Sequence, residues 1–101
     1  MPERSIPALR AAIAAHTRQL LADFEANWRA RIADTYDIRA APAFLARWWA
    51  EYALARDPGL DRYVRDLEER AAQSADPDKA MALLEEAAQI HRRASLLGPG
   101  E

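Results

Sequence analysis

Two histidines and two pairs of neighbouring glutamates are the residues of this 101-residue chain whose types come closest to a catalytic or metal-binding site. His16 and His91 are the only candidates for a base that works near neutral pH. Neither has a carboxylate or a second histidine at the helical spacing that a metal site requires. The side chains of Glu68–Glu69, and those of Glu85–Glu86, point about 100° apart on a helix and do not converge on one substrate. We therefore expect no catalytic site and no bound metal ion.

The residues that other common chemistries need are also missing from the sequence. There is no cysteine, so disulfides, thiolate zinc sites, iron–sulfur clusters and thiol nucleophiles are excluded. The three glycines, Gly59, Gly98 and Gly100, form no phosphate-binding loop. No serine has the surroundings of a nucleophile elbow. We predict a protein that is not an enzyme and that holds no cofactor.

The charge and hydropathy of the chain narrow the range of partners. Its formal net charge is −2 and its pI is about 5.7, whereas nucleic-acid-binding surfaces usually carry a basic excess. The N-terminal residues include no apolar stretch long enough for a signal peptide, and no uncharged apolar run reaches about 18 residues. We expect a cytoplasmic protein with neither a membrane nor a nucleic acid as its partner.

We predict a single domain over residues 1–101, with frayed ends at residues 1–5 and 98–101. Within it, the first third of the chain has a clear helical periodicity. Apolar residues recur every three or four positions from Pro7 to about Tyr36, which predicts one long helix or two shorter ones. A continuous helix of that length is unusual in a small domain, so a break near His16–Thr17 is favoured, with Thr17 as a cap between the two halves.

The segment from Pro42 to about Arg56 is predicted to form the central helix. It concentrates large apolar side chains on one face (Phe44, Leu45, Trp48, Trp49 and Tyr52), and each aromatic can bury roughly 150–250 Å². Trp48 lies in line with Phe44 and Tyr52 and is assigned to the core. Trp49 points about 100° away from Trp48, so it either packs on a flanking helix or contributes to a surface for another chain.

Two Asp-Pro junctions predict the last two helices. Asp57 and Asp76 are expected to act as N-caps, with Pro58 and Pro77 in the first turn. The inner face of the first helix is predicted to be Leu60, Tyr63, Val64, Leu67 and Ala71, and that of the second Met81, Leu84, Ala87, Ala88 and Ile90. No segment alternates as a strand does. The prediction is an all-α compact bundle of four helices, or five if the first long helix breaks.

Three short motifs resemble a family of small, all-helical actinobacterial proteins of unknown function. They are the turn Tyr36-Asp37-Ile38, the helix segment Phe44-Leu45-Ala46-Arg47-Trp48-Trp49 and the stop Arg56-Asp57-Pro58. The blocks Pro7–Ile13 and Phe24–Arg29 are also similar, so the resemblance covers roughly residues 6–72. The segment after Gln73 departs from the pattern. Members of this family are often encoded beside RelE/ParE-type toxins, so the resemblance implies an antitoxin-like protein whose partner is a small basic toxin.

These observations lead to three functional hypotheses of different classes. The first is a non-enzymatic protein-interaction module that uses an exposed Trp49 and four acidic residues, Asp66, Glu69, Glu85 and Glu86, because acidic helices can cover the basic groove of a toxin. The second is a self-associating scaffold in which the aromatic helix forms a homodimer face. The third is a DNA-binding regulator whose recognition helix is one of the last two helices, although that helix would direct carboxylates at the phosphates.

Overall fold

Five α-helices and no strand make up the computed structural model, which describes all residues from Met1 to Glu101. The helices are α1 (Ile6–His16), α2 (Leu21–Trp28), α3 (Ala41–Ala55), α4 (Pro58–Gln73) and α5 (Pro77–Ser95). The all-α prediction is confirmed. The bundle has five helices and not four, because the first long segment is broken. This agrees with the alternative prediction of five helices.

The break lies at Thr17, although Thr17 does not cap the second half. Its backbone leaves the helical region (φ −136°, ψ 52°), and its buried hydroxyl donates weakly to the carbonyl of Ile13 at 3.5 Å. No side chain caps the turn of 3-10 helix, Arg18–Leu20, that leads into α2. The expected capping of the second half by Thr17 is therefore wrong, because the hydroxyl faces back towards α1.

A π-helical turn, Arg29–Ala33, extends α2 and was not predicted. The amide of Asp34 donates to the carbonyl of Arg29 at 2.8 Å, which gives the five-residue spacing of a π turn. Tyr36 then adopts a positive φ of 54°, which ends the helical path. A turn of 3-10 helix, Ile38–Ala40, leads into α3.

Helix α3 is the common wall of two hydrophobic clusters. On one side, Phe44, Trp48, Trp49 and Tyr52 pack against side chains of α1, α2 and the π turn (Leu9, Ile13, Phe24 and Ile32). On the other side, Ala50, Ala53 and Leu54 pack against side chains of α4 and α5 (Val64, Leu67, Ala87 and Ala94). The prediction that the chain is organised around this helix agrees with these contacts.

Helices α4 and α5 form an antiparallel hairpin whose caps were predicted correctly. A side-chain oxygen of Asp57 accepts from the amide of Leu60 at 3.2 Å, and one of Asp76 accepts from the amide of Asp78 at 2.9 Å. The predicted inner faces are correct at Val64, Leu67, Ala71 and Ala87, and wrong at Leu60, Tyr63, Met81 and Leu84, which are exposed. The hairpin is covered by α3 on one side only, so apolar residues at the margins of each stripe stay in solvent.

The end segments of the chain lie against one another, where the sequence suggested frayed ends. The amide of Gly100 donates to the carbonyl of Met1 at 2.8 Å, and a guanidinium nitrogen of Arg4 donates to the carbonyl of Ser95 at 2.8 Å. Arg56 donates in the same way to the carbonyl of Glu101 at 2.8 Å. Backbone groups of both segments are thus hydrogen-bonded to each other or to the bundle.

Candidate partner-binding surface

The exposed sides of the α4–α5 hairpin carry the four acidic residues that the sequence suggested. Asp66, Glu69, Glu85 and Glu86 are all exposed, as predicted. Their helices are held in place by Val64 and Leu67 of α4 and Ala87 of α5, which face α3 and leave the opposite sides in solvent.

Tyr63 connects the two helices on this surface. Its hydroxyl donates to a carboxylate oxygen of Glu86 at 2.8 Å, and the residue is 44% exposed. The hydrogen bond to Glu86 is the main reason that the pKa of the Tyr63 phenol is raised; desolvation and the negative charges of Glu86 and Asp66 add to it, while Arg70 opposes it. Tyr63, Asp66 and Glu86 therefore form one group, which we call the Tyr63 cluster.

The remaining acidic residues lie beside this cluster and have local partners of their own. Glu69 accepts from the side-chain amide of Gln73 at 3.3 Å, and Glu85 pairs with Arg92 at 2.9 Å. Asp66 also lies 3.5 Å from Arg70 along α4. Glu85 points about 100° away from Glu86 around α5. Asp66 and Glu86 thus both lie near Tyr63, whereas Glu85 lies on a different side of α5.

Trp49 is not part of any surface, which corrects the expectation that it is exposed. It is 0% exposed, and its indole nitrogen donates to the carbonyl of Leu97 at 2.9 Å. The guanidinium carbon of Arg4 lies 4.8 Å from the centre of its ring. Trp49 packs in the first cluster while the segment after α5 covers its polar edge, so it stabilises the fold and cannot contact a partner.

Sequence reasoning missed Tyr63, because the residue was assigned to the core. A tyrosine at the margin of an apolar stripe buries one edge of its ring while its hydroxyl reaches a polar group, and its position among Arg62, Asp66 and Arg70 was the available signal. The exposure of Met81 and Leu84 was not predicted either, because both were assigned to the inner face of α5; Met81 is 66% exposed.

The two histidines considered in the sequence analysis do not lie in a group of possible metal ligands. His16 is exposed, and His91 lines a crevice of about 210 Å³ together with Glu51, Asp61 and Glu68. No group of three or more histidine, aspartate or glutamate side chains is close enough to hold a metal ion.

Among the five helices, none is both long enough and apolar enough to cross a membrane. No known protein family, curated protein or solved structure matches the chain.

Proposed function

We propose that the protein is a non-enzymatic interaction module and that the outer side of the α4–α5 hairpin binds a basic protein. The observation that carries this proposal is the Tyr63 cluster, in which an exposed aromatic ring stands next to the carboxylates of Asp66 and Glu86. An arginine or lysine of a partner placed over the ring would gain a cation–π contact and reach a carboxylate at the same time. Aromatic rings in such positions are frequent hot spots of interfaces.

The distribution of charge also supports a basic partner. Residues 58–95, which span both helices of the hairpin, contain eight acidic and six basic side chains, whereas residues 1–57 contain seven acidic and eight basic ones. The hairpin therefore has an acidic excess, and the segment before it does not. A positively charged partner would be steered towards this side of the molecule during diffusional encounter.

The specific form of the proposal is an antitoxin-like protein that neutralises a small basic toxin, as the resemblance in the first two thirds of the chain implies. In that form the hairpin would cover the basic surface with which the toxin contacts RNA. The acidic excess of the hairpin supports a basic partner of this kind.

The scaffold hypothesis needs a different surface from the one expected. Phe44, Trp48, Trp49 and Tyr52 are all buried within the chain, so α3 has no aromatic face to offer to a second copy. Light scattering at high protein concentration tests this hypothesis, since a strictly monomeric mass would exclude the scaffold.

The test is a pulldown from nuclease-treated extract of the native host, with wild-type and charge-reversed baits compared by quantitative mass spectrometry. We expect the wild-type bait to recover a stoichiometric small basic protein and the double variant Asp66→Lys/Glu86→Lys to lose it. The matched control is Glu3→Lys/Asp34→Lys, which makes the same change in net charge at two exposed acidic positions outside the hairpin.

Three outcomes would count against the proposal. Equal recovery by both double variants would remove the Tyr63 cluster as the binding surface. Recovery of the bait alone with a dimeric native mass would favour the self-associating scaffold. Salt-dependent retention of the wild-type protein on duplex DNA would favour the regulator.

A further inference from the structure

A cavity of about 450 Å³ lies at the end of the bundle where α3 finishes, α4 begins and α5 finishes. Its apolar wall is formed by six side chains (Ala53, Leu54, Leu60, Ile90, Ala94 and Leu97). This volume is within the range of about 300–1,000 Å³ that is typical of small-molecule sites, and a mostly apolar lining with a few polar groups is typical as well. The cavity does not depend on the partner surface proposed above.

Charged side chains stand at the rim of this cavity. Arg56, Asp57 and Arg93 are the charged residues among those that line it. Asp57 is engaged at the start of α4, where its side chain accepts from the amide of Leu60. Arg93 is exposed and takes part in no ion pair. The rim therefore has an excess of positive charge and one guanidinium that is free to bind an anion.

Arg56 adds a second positive charge in a more fixed position. Its guanidinium donates to the carbonyl of Glu101 at 2.8 Å, and its guanidinium carbon lies 5.7 Å from the centre of the Tyr52 ring. These contacts hold the charge at the edge of the cavity. Because Arg56 already donates to an oxygen of the chain, Arg93 is the guanidinium that is left free for a ligand.

We propose that this cavity is a binding site for a small amphiphilic carboxylate, with the carboxylate against Arg93 and the apolar body against Leu54, Leu60 and Ile90. Guanidinium groups match the planar geometry of a carboxylate and bind it through two parallel hydrogen bonds. The apolar wall gains by covering the hydrocarbon part of the ligand, since water is displaced from both surfaces. Neutral alcohols and cationic amphiphiles of the same length lack the group that Arg93 recognises.

Isothermal titration calorimetry with decanoate, below its micelle concentration, tests the proposal on the full-length protein. We expect saturable binding to one site, binding of decanol weaker by about tenfold or more, and no binding of decyltrimethylammonium. Arg93→Met is expected to weaken decanoate binding by about tenfold or more. The matched control is Arg18→Met, which removes another exposed arginine that has no ion pair and that does not line the cavity.

A second pair of variants tests the apolar wall. Leu60→Gln changes an exposed leucine that lines the cavity, and it is expected to weaken decanoate binding. Leu84→Gln changes an exposed leucine of the same hairpin outside the cavity, and it is expected to leave binding unchanged. Circular dichroism verifies that all variants are folded. Absence of decanoate binding, equal binding of decanol and decanoate, or an unchanged affinity in Arg93→Met would each overturn the proposal.

Discussion

Tyr63 is the residue at which the two helices of the hairpin are joined by a charge-assisted hydrogen bond. Its hydroxyl donates to Glu86 at 2.8 Å, and this bond is the first cause of the raised pKa of the phenol. The folded protein therefore holds the phenolic proton more tightly than the unfolded chain does. The resulting stabilisation is fully present below the ordinary pKa of 10.0. It is lost as the pH rises through the raised pKa of the folded state.

Replacing Glu86 by glutamine is expected to lower the pKa of Tyr63 towards its ordinary value. The amide keeps an acceptor for the hydroxyl but removes the negative charge that disfavours the phenolate. The measurement is a titration of the ultraviolet absorbance of tyrosinate, with Tyr63→Phe used to identify the contribution of Tyr63 among the three tyrosines. Glu85→Gln is the control, because Glu85 pairs with Arg92 and is not among the groups that shift the pKa of Tyr63. Identical titrations of the two glutamine variants would contradict this assignment.

The partners of the two tryptophans of α3 could not be predicted from the sequence. The 100° step between neighbouring positions predicted that Trp48 and Trp49 do not point at the same partner helix, whereas the structure places both in the first cluster. Both are buried: the indole nitrogen of Trp48 donates to Asn27 at 3.0 Å, and that of Trp49 donates to Leu97. Leu97 is 48 residues from Trp49 in sequence, and no local pattern places it there.

At the scale of elements, the predictions that succeeded were those that depend on local chemistry. The Asp-Pro junctions specify both a side-chain acceptor and a first-turn proline within two residues, so α4 and α5 begin at Pro58 and Pro77 as predicted. The exposure of the four acidic residues on these helices also followed from their positions off the apolar stripe. Their role in binding a partner stays a prediction.

The π-helical turn Arg29–Ala33 was missed for a physical reason. Apolar periodicity reports which side of a segment faces the core, and Phe24, Trp28 and Ile32 keep their four-residue spacing through the turn. It does not report which carbonyl each amide reaches. The change from four-residue to five-residue hydrogen bonding therefore leaves the apolar pattern unchanged, so the pattern does not predict it.

The cap of α5 gives a prediction at this scale. Asp76→Ala is expected to lower the free energy of unfolding by about 0.5–2 kcal/mol, because it removes the acceptor that the amide of Asp78 uses at 2.9 Å. Urea unfolding followed by far-ultraviolet circular dichroism measures this loss. Asp34→Ala is the control, since Asp34 is exposed and its side chain makes no hydrogen bond or ion pair within the chain. A loss of the same size in both variants would mean that the cap does not contribute.

At the scale of the whole molecule, the arrangement around α3 explains which apolar residues are buried and which are not. Helix α3 is covered on both sides, by α1 and α2 on one and by α4 and α5 on the other, so its aromatic residues are buried all round. The hairpin has α3 on one side and solvent on the other. Met81 and Leu84 consequently stay exposed, although their spacing resembles that of core residues. The sequence reports apolar stripes, whereas the number of layers depends on contacts between distant segments.

Because both clusters share α3, we expect the two halves of the molecule to unfold together. Leu67→Ala, at a position that is 1% exposed in the second cluster, is expected to cost about 2–5 kcal/mol through lost burial and the remaining cavity. All three tryptophans lie in or against the first cluster, so their fluorescence reports the opposite side of α3. If unfolding is a two-state transition, Leu67→Ala shifts the urea midpoints measured by fluorescence and by far-ultraviolet circular dichroism to the same lower value. The control is Leu84→Ala, a change at an exposed position, which is expected to shift neither midpoint by a comparable amount. A fluorescence midpoint that stays at the wild-type value while the dichroism midpoint falls would mean that α3 does not couple the two clusters.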